Sequence, residues 1–471
     1  MRLNSLDNFR RQRRRLGRVP GWVAAAFLAS TLPSQAQTLT ELQAILTRLD
    51  RLEEQNRTLS AEVRTLRQEL AVARGETEPG PTFEERLAVQ ENRTAEQAQT
   101  KVEAAGRFPI RLTGMALFNA YLDTGGGVRT RQPSVEPPSG TRTGGGTFRQ
   151  SIIGLDFNGP RSVWDAKLSG TLRLDLYGDG GQPTYGVSAQ SPYPTLRLRT
   201  ATIGLDWKSR SLLAGVSKPI MSPREPESLA HVAVAPLSGA GNLWLWLPQV
   251  RFQQELRIGE QSGARIQLGV VQTRETAAAY GSDGTASLAT YYEPWRPGFE
   301  ARLELFSGRN PRLEIASGFH RSVSHVAEKS IPSQIVSLDW LMGLGRSFEF
   351  TGAAFAGKNV TPLGTGGLRQ GVVVAGPGQA WAVRSAGGWG QLTYRATSRL
   401  WFNLFTGQQD DRDSDLRPGG VGKNLAYGAN LFFRLAPNVL GSLETSQTRA
   451  RYIGGSTFLS NRYDLALAYL F

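Results

Sequence analysis

The chain has 471 residues, of which 40% are hydrophobic and 20% are charged, and its formal net charge is +14. Its mean hydropathy of -0.30 and the shortness of its one long apolar run, residues 21–32, exclude a bundle of membrane-spanning helices, because each such helix needs about 20 apolar residues. The absence of cysteine excludes disulfide frameworks, thiolate metal sites and cysteine nucleophiles.

The N-terminal segment has the pattern of a secretory signal peptide. Six arginines between residues 10 and 18 precede the apolar run, and the small-residue site Ser34-Gln35-Ala36 follows it, which predicts cleavage after Ala36 and export. A basic nucleic-acid-binding cluster is the alternative. Residues 37–106 carry a net charge of -4 and residues 107–471 one of +12, so the positive excess belongs to the C-terminal region. Since no DNA or RNA motif occurs, we expect no nucleic-acid partner.

Residues 37–74 follow a heptad pattern that predicts a parallel coiled coil. Asn56 in the core favours a dimer, whereas Leu46 widens the apolar stripe toward higher order, so the heptads alone leave the number of chains open. The hexamer Arg-Leu-Asp-Arg-Leu-Glu at residues 48–53 resembles the signature of parallel trimers and favours three chains. Residues 75–106 are predicted to form a periplasmic linker. The predicted core residues are Leu42, Ile45, Leu49, Leu52, Asn56, Leu59, Val63, Leu66 and Leu70.

From residue 107 the apolar period changes from 3.5 to 2, and short turns alternate with long Gly-, Pro- and Ser-rich connections. A soluble sandwich also shows alternation, but alternate short and long connections are typical of an outer-membrane β-barrel. A phase slip between Leu198 and Ile203 predicts a bulge. We predict an all-β transmembrane barrel over 107–471 with about sixteen antiparallel strands, at roughly 108–122, 147–158, 164–177, 196–206, 211–217, 249–258, 263–272, 298–307, 311–320, 334–342, 346–357, 388–397, 399–407, 424–435, 438–449 and 460–471.

The last strand has apolar residues at alternate positions and ends on an aromatic residue. This arrangement resembles the C-terminal signature that is recognised during barrel insertion. We therefore predict that Tyr463, Tyr469 and Phe471 form an insertion signal and that the barrel-insertion machinery is a partner.

The order of these parts resembles the DcaP-type trimeric porins of Gram-negative outer membranes. A signal peptide, a parallel coiled coil and a linker precede residues 108–114, Phe-Pro-Ile-Arg-Leu-Thr-Gly, which open the sixteen-stranded barrel. The resemblance spans nearly the whole chain and rests on the order of parts. It implies a homotrimeric passive channel for small anionic solutes such as dicarboxylates, with outer-membrane lipid and lipopolysaccharide as surroundings and the coiled coil in the periplasm.

Sixteen strands leave an aqueous channel, so the side chains opposite the apolar face should meet water. Rings of basic residues select anions, whereas bases and acids that merely pair along the wall do not. Seven acidic candidates, from Asp156 to Asp464, cannot neutralise all the basic ones, so we expect a preference for anions. The candidate pore-lining bases are Arg111, Lys167, Arg173, Arg197, Arg199, Arg251, Arg257, Arg265, Arg302, Arg312 and Arg434.

The longest connection, residues 218–249, corresponds by position to the third outer loop, which in general porins folds into the lumen and narrows it. Its constriction candidates are Lys218, Arg224, Glu225, Glu227 and His231. We interpret Trp244 and Trp246 in the same connection as a membrane-interface or trimer contact, with a sugar-stacking platform as the alternative.

Other functions stay open at this point. The chain could be a phosphate- or sugar-selective porin, or a barrel-anchored envelope tether whose coiled coil binds the cell wall. We expect no enzyme, because a dyad of His325 with Ser322 or Ser324 would lack a third partner and an oxyanion motif. We expect no cofactor and no metal.

Overall fold

The computed structural model describes residues 58, 61–63, 65–66, 110–125, 135, 142–178, 195–273, 279–280, 286–287, 296–308, 312–326, 329–363, 368, 370–376 and 378–471. The chain divides into two units, Met1–Gln99 and Thr100–Phe471. In the first unit the described residues are helical, and Val63 and Leu66 are exposed. The signal peptide, the linker and the other predicted core positions of the coiled coil lie outside the described residues, so the coiled coil stays a prediction.

The second unit is a β-barrel. Its sheet has seventeen hydrogen-bonded segments, two of which form one interrupted strand. The strands are β1 (Ile110–Asp123), β2 (Thr143–Thr147 and Ile152–Val163), β3 (Ala166–Gly178), β4 (Thr195–Asp206), β5 (Arg210–Ser217), β6 (Leu247–Arg257), β7 (Ser262–Val271), β8 (Gly298–Ser307), β9 (Leu313–Val326), β10 (Lys329–Leu344), β11 (Phe348–Lys358), β12 (Arg384–Arg395), β13 (Leu400–Asp411), β14 (Val421–Ala436), β15 (Val439–Tyr452) and β16 (Thr457–Leu470).

Each strand pairs antiparallel with the next, and β16 pairs with β1, which closes the barrel. Leu117 lies opposite Ala468, and the Gly114 amide donates to the Phe471 carbonyl at 2.8 Å. Closure leaves no unpaired sheet edge, which is a condition for a sheet that lies in lipid. The predicted sixteen-stranded antiparallel barrel is confirmed. Among the described residues, no helix has the length and apolar character of a membrane span.

Side chains alternate between the two faces of the barrel wall. On β8, Leu303 and Leu305 are exposed on the outer face, whereas Arg302 and Glu304 are buried inside. A water-soluble protein has the opposite distribution, with apolar groups inside and charges outside. The same alternation holds on β16, where Leu465 and Leu467 are exposed. An apolar outer face of this kind suits hydrocarbon.

Two irregularities interrupt the regular register. In the β3–β4 pair, Arg173 lies opposite Thr200 but Leu174 lies opposite Leu198, which confirms the bulge expected in β4. The second irregularity, in β2, was not predicted: residues 148–151 leave the sheet between its two segments. As a result Phe148 is exposed outside, while its neighbours Arg149 and Gln150 are both buried. Strict alternation could not place two successive polar side chains on the inside.

The barrel also extends further than expected at the end that carries the long connections. Strands β9 and β10 continue to Val326 and from Lys329, so they occupy most of a segment predicted as a loop. Four short strands at 279–280, 286–287, 372–376 and 379–382 form a second small sheet. Its residues Val372, Val374 and Ala380 pack with Val326 and Ile331. Turn signals in the sequence could not reveal this apolar contact between distant loops.

Gly215 on β5 provides a test of the wall geometry. Its φ is 142°, and a Cβ there would meet the Ala201 carbonyl of β4 well inside van der Waals contact. We expect Gly215→Val to destabilise the barrel by at least about 3 kcal/mol, because both the backbone conformation and the strand spacing exclude a side chain. Heat-modifiable migration on gels measures the folded fraction. Ala214→Val on the exposed outer face is the control, and equal folding of the two variants would contradict the prediction.

Candidate functional site

Residues 218–246, named L3 here, connect β5 to β6 and lie inside the barrel. Inward side chains from distant strands hold its backbone: Asn119 on β1 donates to the Leu229 carbonyl at 2.8 Å, and Ser337 on β10 donates to the Met221 carbonyl at 2.7 Å. Asn424 on β14 donates to the Gly239 carbonyl at 2.9 Å. L3 therefore crosses the lumen and touches the wall on several sides.

Polar amides of the wall satisfy much of the irregular L3 backbone. The side-chain oxygen of Gln150 accepts the amides of Val232 and Ala233, each at 2.8 Å, and its nitrogen donates to the Ala230 carbonyl at 2.8 Å. Gln391 accepts the Glu227 amide at 2.8 Å. Buried peptide groups need such partners, so these side chains fix where L3 runs.

The middle of L3 also packs closely on the inner face of β12 and β13. A Cβ on Gly407 would collide with the Ala240 carbonyl, and one on Gly241 would collide with the Gly388 carbonyl. Glycine thus permits direct contact between backbones at this point. Leu237 and Ala240 join the buried apolar cluster around Trp389 and Phe405.

The first part of L3 is held by a buried network of ion pairs. Arg224 donates to Asp339 at 2.7 Å and to Glu314 at 2.6 Å, and Arg302 pairs with Asp339 at 2.8 Å and with Glu304 at 2.6 Å. Within the described residues the network connects Arg224, Arg257, Arg265, Arg302 and Arg312 with Glu255, Glu304, Glu314 and Asp339. Its five guanidinium groups are nearly balanced by its four carboxylates. Removing one partner from such a buried network leaves another charge unpaired.

A second anchor combines a carboxylate, a histidine and a serine. Glu300 accepts the Ile220 amide at 2.5 Å and contacts His320 Nδ1 at 2.9 Å, while His320 Nε2 lies 2.9 Å from Ser322 Oγ. The order of groups is that of a serine–histidine–carboxylate triad. All three side chains are buried, and Glu300 is engaged by L3. The array therefore acts as a support for the start of L3.

A different pattern occurs on the inner face of β1, β3 and β4. Arg111 and Arg173 both bind Asp156, whereas Arg197 and Arg199 both bind Asp175, at 2.6 Å and 3.0 Å. We name Arg111, Arg173, Arg197 and Arg199 the arginine wall. Each carboxylate is shared by two guanidinium groups, so the wall keeps a positive excess. Its members run from the long-loop end, at Arg197 and Arg199, toward the short-turn end at Arg111.

The indole of Trp246 belongs to this wall and lies in the lumen. The guanidinium carbons of Arg199 and Arg197 are 4.6 Å and 5.1 Å from its ring centre, and Trp244 meets it edge-on at 4.9 Å. The interpretation of Trp246 as a membrane-interface or trimer contact is therefore wrong. Cation–π attraction holds the ring against the arginines, a contact that the sequence pattern could not reveal. Both arginines also donate to L3 carbonyls.

Other basic candidates occupy different surroundings. Arg257 and Arg312 have largely exposed side chains, at 73% and 53%, whereas Arg302 is only 3% exposed and lies within the network. Arg265 pairs with Glu304. The remaining candidates are Lys167 and Arg434, which are exposed, and Arg251, which is partly buried.

The five predicted constriction residues of L3 do not form one cluster, because they have different partners. Lys218 pairs with Glu225 at 2.9 Å, and Arg224 belongs to the network. Glu227 accepts the Trp401 indole N–H at 3.2 Å, and burial raises the pKa of Glu227. Burial lowers the pKa of His231 to about 3, and its Nε2 lies 3.5 Å from Glu444. Arg224 therefore holds L3 to β9 and β10, and Glu227 holds it to β12 and β13.

We expect Arg224→Met to release the first part of L3. The change leaves Asp339 and Glu314 short of a partner in a buried network, which should destabilise this arrangement by about 3 kcal/mol. Single-channel conductance in planar bilayers should rise, because L3 no longer fills its part of the lumen. Arg312→Met, at an exposed member of the same network, is the control and should leave the conductance near that of the parent. Equal conductance of all three proteins would refute this role of Arg224.

Comparison with known proteins extends the description of the fold. No protein-family model and no curated protein matches the sequence. The chain is similar to the outer membrane channel DcaP of Acinetobacter baumannii, with 17% identity and a TM-score of 0.63 over 78% of this chain and 98% of that one. It is also similar to the anion-selective porin from Comamonas acidovorans, with 10% identity and a TM-score of 0.50 over 77% of this chain and 100% of that one. The barrel therefore shares the fold of the DcaP channel, as the order of parts in the sequence predicted.

Proposed function

We propose that this protein is a passive diffusion channel of the outer membrane that prefers small anionic solutes. The observation that carries the proposal is the arginine wall, in which four guanidinium groups share two carboxylates. The names of the two similar solved structures, an outer membrane channel and an anion-selective porin, support it.

The selectivity follows from the unequal charge of the two sides of the lumen. The network around Arg302 is nearly neutral and lies under L3, so it contributes little field to a passing ion. In the arginine wall, Arg111 and Arg173 keep 75% and 28% of their side chains exposed. Arginine stays charged at any physiological pH and offers a planar pair of donors to a carboxylate or phosphate. An anion can therefore exchange water for guanidinium donors in steps along the wall.

The same geometry favours an anionic solute over a sugar. A sugar-selective channel needs open aromatic faces, but two guanidinium groups lie over the Trp246 indole. The charges available to a solute here are those of the arginines. The preferred class of solute is thus a small mono- or dicarboxylate or a similar anion.

The proposal includes a homotrimer whose coiled coil lies in the periplasm. The first barrel strand begins at the rim with the short turns, which in outer-membrane barrels is the periplasmic rim. Tyr463, Tyr469 and Phe471 lie on the outer face, where the insertion machinery, lipid and lipopolysaccharide would meet the barrel.

The selectivity is tested by the double variant Arg111→Gln/Arg173→Gln. Loss of two positive charges beside Asp156 should lower the anion-to-cation permeability ratio at least about twofold, because the charge at this level changes from one net positive to one net negative. The reversal potential of a planar bilayer in a salt gradient measures the ratio.

The matched control is Arg257→Gln/Arg312→Gln, which removes the same charge from exposed positions of the other side. We expect its reversal potential to stay near that of the parent. A cation preference of the parent protein, or the same shift in both double variants, would overturn the assignment. Absence of any conductance would instead favour the envelope tether.

The predicted coiled coil is tested separately by deletion of residues 37–74. If these heptads set the number of chains, the deletion should shift the protein from trimers toward monomers in native mass spectrometry, because the heptad core is lost. Asn56→Leu is a milder variant that should keep a coiled coil but loosen its register. A trimer that survives the deletion would show that the barrel alone sets the number.

A further inference from the structure

A second cavity lies between the later part of L3 and the strands β1 and β13–β16, and no member of the arginine wall lines it. Its cavity volume is about 40 Å³. Polar side chains from β1 and β16, among them Asp123, Ser460 and Arg462, line the cavity together with the apolar Phe405 of β13 and Val234 and Leu237 of L3. The function proposed above makes no use of this space.

The polar end presents one donor and one acceptor that form an ion pair with each other but have no hydrogen-bond partner. Arg462 binds Asp464 through Nε and Nη2, both at 2.9 Å, which leaves its Nη1 free of hydrogen bonds. Asp123 uses Oδ1 to accept from Ser460 and from the Gly125 amide, while its Oδ2 has no partner. The side chains of Arg462 and Asp123 are only 6% and 1% exposed, and the two atoms are 4.0 Å apart. This separation is too long for a hydrogen bond, and leaving both groups without one in a buried place costs free energy that a ligand could recover.

The charges around the cavity select against a simple ion. Arg462 is already compensated by Asp464, and Asp123 adds a negative charge. His231, which also lines the cavity, has its pKa lowered to about 3 by burial and is neutral near pH 7. An anion would bind Arg462 but would be repelled by Asp123, and a cation would leave Arg462 Nη1 unsatisfied. A solute that carries both charges on neighbouring atoms satisfies both.

We propose that this cavity binds zwitterionic α-amino acids with small apolar side chains. The carboxylate would accept from Arg462 Nη1, the ammonium would donate to Asp123 Oδ2, and the side chain would lie against Val234, Leu237 and Phe405. Arg462 Nη1 and Asp123 Oδ2, which lack hydrogen bonds, are 4.0 Å apart, and this distance suits a head group whose charges are joined through one carbon. The site rests on the proposed channel only because solutes reach it through the lumen.

The test compares three solutes of similar size on the full-length protein in detergent. L-alanine carries both charges, propionate lacks the ammonium and ethylamine lacks the carboxylate. Calorimetric titration should give L-alanine an affinity at least about tenfold greater than either comparator, since each of them leaves one buried group unpaired. Equal binding of propionate and L-alanine, or no binding of L-alanine, would overturn the proposal.

Two variants locate the site. Asp123→Asn removes the acceptor charge, and Val234→Trp fills the apolar end while it leaves both charged groups in place; each should reduce L-alanine binding at least about tenfold. Asp410→Asn, at an exposed carboxylate that pairs with Lys423 on the outer rim, is the charge-matched control and should bind as the parent does. Unchanged binding in both cavity variants would contradict the assignment.

The outcome is distinguishable from a failure of the proposed function. The double variant Arg111→Gln/Arg173→Gln should have a lower anion-to-cation permeability ratio and still bind L-alanine. If the parent protein binds L-alanine but shows no anion preference, the proposed role of the arginine wall is rejected and the proposed amino-acid site is supported.

Discussion

An irregular loop inside a barrel is possible only where the wall supplies hydrogen bonds to its peptide groups. L3 meets this constraint through amides, hydroxyls and carboxylates that extend inward from nearly every side, such as Gln150, Ser337 and Asn424. The inner wall is accordingly rich in buried polar side chains. Because L3 divides the lumen, these bonds decide which charged groups border the arginine wall and which border the second cavity.

The inward arginines thus serve two different ends. Those near β8–β10 are surrounded by carboxylates and hold the start of L3, whereas those of β1, β3 and β4 outnumber their acidic partners. Arg302 and Arg173 occupy equivalent places in the alternation of their strands. Their surroundings differ because Arg302 lies beside Asp339 of β10, which Arg224 of L3 also binds, whereas Arg173 pairs with Asp156 of β2. An electrostatic field in the channel therefore depends on pairing across strands more than on the number of basic residues.

Much of the fold could be predicted because a membrane barrel imposes period 2 on every strand and an apolar outer face. The strand number, the closure and the bulge near Arg199 followed from that period. The environment of each arginine did not, since it depends on which strands meet and on the path of L3. Arg149 and Gln150 were missed because they occupy a break in β2, and Trp246 was misplaced because apolar aromatic character alone suggests lipid as readily as a guanidinium partner.

The break in β2 links the integrity of the wall to the position of the loop. At the break, Ser151 Oγ accepts the Leu117 amide at 2.9 Å, so a side-chain hydroxyl takes the place of a backbone carbonyl of β2. This local defect also turns Gln150 inward, onto three peptide groups of L3. A sequence in which residues 148–151 stayed in the sheet would make a more regular barrel and would turn Gln150 away from L3. Wall regularity and loop retention are therefore opposed at this point, and neither can be optimised alone.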